Sequence, residues 1–493
     1  MTGKIFLLFS FIFISQFSVA QKEDRNWVFG DSCGIDFNNL TTPVLISTNS
    51  LGFEACNSIS DYAGNLVCYS SSFKLINAYN LGKIINRNGE LMENGDSIHL
   101  SYTATDGSLF IPFPSDSNKY YFFSIGIHTS NNLEFLNYSI IDLNYNSGLG
   151  KVISKNSLLS DTTTEHLVAI KHGNGRDWWL ITKKLFTNKI LKFLITAQGI
   201  SGPFEEQIGS VSFTEPGESA ETRNGNKIVF VSLFGNIDLF DFDRCSGNLS
   251  GYLELGTPPY DTLDASGLGY YGCEFSPDGN RLYISKIKSG SPYSINIFQY
   301  SLNNVQITDS KTDILSTLQG YYLGQLRLAP DNKIYIAGDP GPGIIDSSYN
   351  YLSIIENPND SGQLCNFNLF SFYLNGHYSQ FGLPNMPIYN LGKLVGSPCD
   401  TLTSIQNENL KTKSLVRIFP NPATEQLTIE MLRQAQHDIY EIEITDVMGR
   451  IVYKEESHSH LSIVHCQLFS AGIYFVKVYM NDGSVEVRKF VKE

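Results

Sequence analysis

Short runs of alternating or aromatic-rich apolar residues recur along most of this chain, and each follows a turn signal built from Gly, Asn or Asp. Six of them share one layout: Gly64-Asn65-Leu66-Val67-Cys68-Tyr69, Asn118-Lys119-Tyr120-Tyr121-Phe122-Phe123, Arg176-Asp177-Trp178-Trp179-Leu180-Ile181, Gly225-Asn226-Lys227-Ile228-Val229-Phe230, Gly279-Asn280-Arg281-Leu282-Tyr283-Ile284 and Asp331-Asn332-Lys333-Ile334-Tyr335-Ile336. Their turn positions, 64, 118, 175, 225, 279 and 331, lie 50 to 57 residues apart. Period-two runs bounded by turn residues predict strands, and no 3.6-residue periodicity competes with them. A repeat of this length fits one four-stranded blade of a β-propeller with long loops.

Two repeats display the unit most fully. Gly272 to Ser276 is one strand, Pro277-Asp278-Gly279-Asn280 the turn, Arg281 to Ser285 the return strand and Ser294 to Tyr300 a third. The next runs Gln325 to Leu328, Ala329-Pro330-Asp331-Asn332, Lys333 to Ala337 and Tyr351 to Ile355. Pro presets φ in such turns and Asp, Gly and Asn complete them, so the aspartates read as turn formers rather than metal ligands. Trp27 to Asp31 and Gly34 to Phe37 resemble the second and third strands of a blade that lacks its first, and Ser379 to Pro384 resembles an inner strand with nothing after it. Joined, they predict a composite blade in which the two ends of the domain close the ring and remove its free edges. The expected count is seven blades, with six and eight as alternatives.

The pattern changes after Cys399. Residues 400–414 are polar and read as a linker. Strand signals then follow at 415–419, 426–430, 440–444, 450–453, 472–478 and 485–490, which predicts a small β-sandwich. At the other end, Lys4 precedes an apolar stretch from Ile5 to Phe17, and Ser18-Val19-Ala20 supplies small residues for cleavage before Gln21. This predicts a signal peptide over residues 1–20 and no further transmembrane span. The expected organisation is therefore all-β: signal peptide 1–20, propeller 21–399, linker 400–414 and sandwich 415–493.

Composition adds three things. Of the 493 residues, 42% are hydrophobic and 13% aromatic, enough for a packed core. The net charge of −14 disfavours nucleic acid as a partner. Eight cysteines in an exported chain predict disulfides. The expected pairs are Cys245 with Cys273 between blades and Cys365 with Cys399 at the closing segment. One pair is expected among Cys33, Cys56 and Cys68, and Cys466 is expected to stay free.

The C-terminal unit resembles the type A sorting domain of the type IX secretion system. The residues that carry the resemblance are Phe419-Pro420-Asn421-Pro422-Ala423, Ile444-Thr445-Asp446-Val447-Met448-Gly449-Arg450, Ala471-Gly472-Ile473-Tyr474-Phe475-Val476-Lys477-Val478 and Lys489-Phe490-Val491-Lys492. It implies a Bacteroidota source, the type IX machinery as partner, transport across the outer membrane, removal of the domain, and release or attachment to surface lipopolysaccharide. Pro420, Asn421, Pro422, Asp446, Gly449, Arg450, Gly472 and Tyr474 are the implied sorting-motif residues. The longer N-terminal part resembles the propellers that often carry this domain. It does so through Trp27 to Gly30, Gly34 to Phe37, Ser58 to Asp61 before Gly64, and Phe275 to Gly279, the last also similar to lactonase-like and WD40-like blades.

Candidate chemistry is sparse. There is no Gly-x-Ser-x-Gly elbow, and no catalytic residue is assigned. His166, Lys171 and His172 border one strand and are candidates for a channel-mouth ligand site. Asp241 and Asp243 share a strand face and could contribute to calcium, although Ca²⁺ takes about 6–8 oxygens and Arg244 offers a carboxylate a simpler partner. No cofactor is expected otherwise. Tyr283, Tyr335, Trp178 and Phe230 are expected in the core. The functional expectation is a binding or adhesion module for protein or glycan. A propeller hydrolase or lactonase is the alternative, to be favoured if carboxylates and histidines converge at the channel mouth.

Overall fold

The computed structural model describes residues 21–72, 81–213, 216–233, 235–256, 268–288, 294–339, 347–400, 416–431, 440–446, 449–457, 459, 461–479 and 485–493. The expected signal peptide and nearly all of the expected linker lie outside these residues. The chain divides into two compact units, one ending at Thr401 and the other beginning at Leu402.

Strands of the first unit fall into successive antiparallel meanders, seven among the described residues. The first has three strands, Asn26–Phe29, Cys33–Asp36 and Val44–Leu45. Each of the others has four, and their opening strands are Ser58–Ser60, Ser108–Phe113, Val168–Lys171, Ser219–Glu221, Leu268–Phe275 and Tyr322–Leu328. The turn after the opening strand repeats a backbone device. Gly64, Gly175, Gly225, Gly279 and Asn332 all have φ between 70 and 93°, the left-handed region that Gly and Asn tolerate. Alternate residues of neighbouring sheets fill the space between them. Tyr283, Tyr335, Trp178 and Phe230 are all buried there, as the sequence predicts. The first unit is a β-propeller.

Closure differs in detail from the expectation. Ser379 to Pro384 runs beside the first sheet but forms no continuous strand. It makes one bridge, Gln380 with Gly338, while Gln325 N donates to Phe381 O at 2.9 Å and Leu383 N donates to the Gln325 side chain at 2.6 Å. Isolated backbone bonds and the Gln325 side chain take the place of a continuous ladder, so these backbone groups are satisfied without one. Tyr378 O in turn accepts from Asp31 N at 2.9 Å, which joins the seam.

The second unit is a sandwich of two sheets. One comprises Val416–Phe419, Gln426–Met431 and Leu461–His465, and the other Ile451–Ser457, Tyr440–Asp446, Gly472–Tyr479 and Val485–Lys492. Leu427, Ile429 and Val464 face Ile442, Ile444, Val476 and Phe490 across the core.

Candidate functional site

The opening strands bring charged and amide side chains from six sheets onto the propeller axis. Arg327 is the hub. Its guanidinium bonds Asp106 at 2.6 Å and the Ser219 carbonyl at 3.2 Å, and lies 3.2 Å from Glu218. Asp106 also accepts from Ser219 N at 2.6 Å. Glu218 accepts from Cys273 N and Leu326 N at 2.8 and 3.0 Å, so one carboxylate joins the fifth, sixth and seventh sheets. Glu274 likewise accepts from Phe275 N and Leu328 N. Glu165 accepts from Thr105 N and Oγ1, both at 2.9 Å. The Asn57 amide donates to Ser108 O at 2.8 Å and to Asn385 O, and Asn385 donates to Leu167 O at 2.8 Å. Asp106 and Glu218 are fully buried. The axis is thus filled by bonded polar groups, which a low-dielectric interior tolerates only when each is paired.

Burial dominates the ionisation of these carboxyls. It raises Asp106 to about 6 and Glu274 to about 7, with Arg327 working against it in both, and raises Glu165 and Glu221 to about 8. A carboxyl with a higher pKa folded than unfolded stabilises the fold below its unfolded value, and that contribution is lost as pH rises through the folded value. The melting temperature is therefore expected to fall between pH 6 and pH 8.5. Scanning calorimetry across that range checks it, and a rise over the interval would contradict the assignment.

One end of the axis is closed by the two ends of the domain. The opening strand of the fourth sheet finishes at Lys171, whose ammonium donates to the Gln21 side chain at 2.8 Å and to Tyr389 O at 2.5 Å over the Trp178 ring. Burial lowers its pKa to about 8. Tyr389 donates to Phe110 O at 2.9 Å. Further along, Arg244 donates to Gly392 O at 2.6 Å and to Lys171 O at 2.8 Å, and Leu394 N donates to Gly173 O at 2.7 Å. The strap ends in a disulfide between Cys245 and Cys399. Gly173 lies against it, and a Cβ there would sit 2.3 Å from the Cys399 sulfur, so no larger residue fits. Beneath the strap, Glu221, Glu274, Arg327 and Met386 line a cleft of about 40 Å³, room for a water molecule or two.

Several expectations change here. Cys245 pairs with Cys399 rather than Cys273, because the strap carries Cys399 back across the fourth and fifth sheets. Cys273 and Cys365 are free and buried, so neither expected pair forms, and Cys33, Cys56 and Cys68 are also free thiols. Cys466 is free as well. His166 is fully buried between sheets, bonded to Val231 O at 2.7 Å, and burial lowers it to about 3. His172 bonds Cys245 O at 2.9 Å. Lys171 and His172 thus sit at the strap and His166 lies between two sheets, so the three do not come together at a channel mouth. Asp241 pairs with Lys227, and Asp243 accepts from Cys245 N and the Ser246 hydroxyl. Arg244 bonds carbonyls rather than either aspartate. Among the described residues no group of three or more His, Cys, Asp and Glu side chains is placed to hold a metal ion. The axial residues were not singled out from sequence. Their signal is a lone charge inside an apolar opening strand, Glu274 and Arg327 each standing five residues before the left-handed turn residue, Gly279 or Asn332.

In the C-terminal unit the implied sorting-motif residues fall at three places: the segment around Asn421, the turn that Asp446 holds, and the paired last two strands. Asn421 lies between Pro420 and Pro422, both preceded by cis peptide bonds. Its amide pairs with the last strand, donating to Lys489 O at 3.0 Å and accepting from Val491 N at 2.9 Å. Ala423 N then donates to Val491 O at 2.8 Å, so the motif covers the free edge of the final strand. Asp446 holds its turn by accepting from Arg450 N and Nε at 3.0 and 2.7 Å, with Gly449 at φ 77°. Gly472 pairs with Lys492 across the last two strands, and the Tyr474 ring stacks on Phe490. Replacing Asn421 by Ala is expected to cost about 1–2 kcal/mol locally. Hydrogen exchange of the Val491 amide checks this, and unchanged protection would argue against it.

The model of the secretion system C-terminal sorting domain matches residues 417–493. No match was found among curated proteins. Among solved structures, a putative 6-phosphogluconolactonase from Bacteroides fragilis is 12% identical, with 73% of this chain and 98% of that one covered and a TM-score of 0.44. The periplasmic gluconolactonase of Pseudomonas aeruginosa is 15% identical, with 78% and 94% covered and a TM-score of 0.35. PorZ, a surface component of the type IX secretion system of Porphyromonas gingivalis, is 12% identical, with 96% and 81% covered and a TM-score of 0.18. Likenesses this distant transfer no activity. No described helix is long and apolar enough to cross a membrane. The chain is a β-propeller protein with a type IX C-terminal sorting domain, exported to the cell surface or beyond it.

Proposed function

We propose that this protein is an exported binding module that recognises a protein or glycan with the end of the propeller opposite its chain ends. The observation that supports this most is the filled axis: Asp106, Glu218 and Glu274 are spent on Arg327 and on backbone amides of neighbouring strands. Residues 1–20 act as the leader, 400–414 as the tether, and the sorting unit as the part read by the type IX machinery. The full chain, screened on a defined glycan array and against aryl-glycoside and lactone substrates, tests the reading. Retention without turnover is expected, and turnover would overturn it.

The hydrolase or lactonase alternative has one supporting feature. Glu165, raised to about 8, carries a proton at neutral pH, as a general acid must. Its carboxylate is already held by Thr105, and any turnover found should then vanish in Glu165→Gln.

A further inference from the structure

At the end of the propeller away from the strap, the fourth and fifth sheets meet in an exposed corner. The strand Trp178–Lys183 returns to that end, and the loop after it carries Phe186. Phe186 is 56% exposed, yet its backbone is held at φ 60°, in the left-handed region that a bulky side chain rarely occupies. Neither burial nor turn chemistry accounts for an aromatic residue in such a place, and strain of this kind collects where a side chain is held for use. The segment 208–213 fixes it: Phe186 N donates to Ser212 O at 2.8 Å and Ser212 N to Thr187 O at 2.9 Å. Val211 and Phe213, exposed by 46% and 42%, extend the apolar surface.

Polar groups beside this surface are oriented from below. Asp238 is fully buried and paired with the buried Lys183 ammonium at 2.9 Å. Its other oxygen accepts from the Ser210 hydroxyl at 2.7 Å and the Tyr252 hydroxyl at 3.2 Å. The two hydroxyls also lie 3.0 Å from one another, so one accepts from the other. With two lone pairs on each oxygen, both keep an acceptor site toward a ligand. Tyr252 also stacks on Phe240 at 5.2 Å and stays 37% exposed. The nearby ammonium groups of Lys184 and Lys189 both pair with the single carboxylate of Glu205, at 3.1 and 2.7 Å.

We propose that this corner is a subsite for a neutral saccharide. The Phe186 ring, with Val211 and Phe213, takes the C–H face of a sugar ring, and Ser210 and Tyr252 accept hydrogen bonds from its hydroxyls. Lys183 is paired with Asp238, and Lys184 and Lys189 are both held by Glu205, which leaves one positive charge over. The groups turned to the ligand, the Ser210 and Tyr252 oxygens, are uncharged acceptors suited to sugar hydroxyls rather than to a carboxylate. This inference rests on the binding reading above and names its ligand class.

The test is calorimetric titration of the full chain with neutral xylo-, cello-, manno- and malto-oligosaccharides, with oligogalacturonate as the acidic control. A neutral oligosaccharide is expected to bind. Phe186→Gly is expected to weaken it at least about tenfold, with an unchanged or raised melting temperature because glycine relaxes at that φ. A residue present merely for packing would lower the melting temperature instead. Ser210→Ala should weaken binding as well. Failure of every neutral oligosaccharide to bind, or binding that Phe186→Gly leaves intact, would overturn the proposal. A protein ligand retained without any saccharide affinity would overturn it while leaving the binding reading standing.

Discussion

Arg327→Met is expected to destabilise the propeller by about 3–5 kcal/mol, the largest effect of any single substitution considered. The cost comes less from the lost bonds than from what stays behind. Asp106 and Glu218, both fully buried, would face each other without a cation. They would respond by taking up protons, so the penalty should be smaller at pH 5.5 than at pH 8. Urea denaturation at both values measures it. Adding Asp106→Asn and Glu218→Gln to Arg327→Met should recover part of the loss, because neutral amides do not need the guanidinium. A cost below about 1 kcal/mol at pH 8 would mean that the axial charges are not what joins the inner strands.

Cys399→Ser is expected to lower stability by about 2–4 kcal/mol. The bond closes a loop of 154 residues, so its loss frees a long stretch of the unfolded chain. A non-reducing peptide map should recover Cys245 joined to Cys399, with Cys273 alkylated only after unfolding. Recovery of Cys245 with Cys273 would contradict the strap. The serine variant should leave the sorting unit's own unfolding transition unchanged, which separates loss of the strap from general misfolding.

The readable and unreadable parts of this protein differ in the range of their determinants. The turns at Gly64, Gly175, Gly225, Gly279 and Asn332 are local, since a left-handed residue leaves its signature in the residue type itself. Core aromatics such as Tyr283 and Tyr335 follow from alternation within one strand. The sorting motif is recognisable locally, as Asn421 between two prolines, although its amide acts on Lys489 and Val491 at separations of 68 and 70 positions. The axis is not local. Asp106 meets partners at Ser219 and Arg327, more than a hundred positions away, and no spacing rule encodes which carboxylate finds which amide. The disulfide failed for the same reason: Cys273 is near Cys245 in sequence and in blade order, whereas Cys399 arrives by a strap with no pattern of its own. Phe186 was invisible because its interest lies in a backbone angle.

The strap also determines where tension goes. A pull on the sorting unit reaches Cys399 first, and the disulfide hands the load to Cys245 in the fifth sheet. The seam at Asp31, Gly338 and Gln325, where the ring is joined by scattered single bonds, lies upstream of that anchor and carries none of it. With the bond reduced, the same pull would peel the chain back residue by residue from Leu394 toward Tyr378. A single covalent link thus separates handling of the tail from the mechanical integrity of the ring.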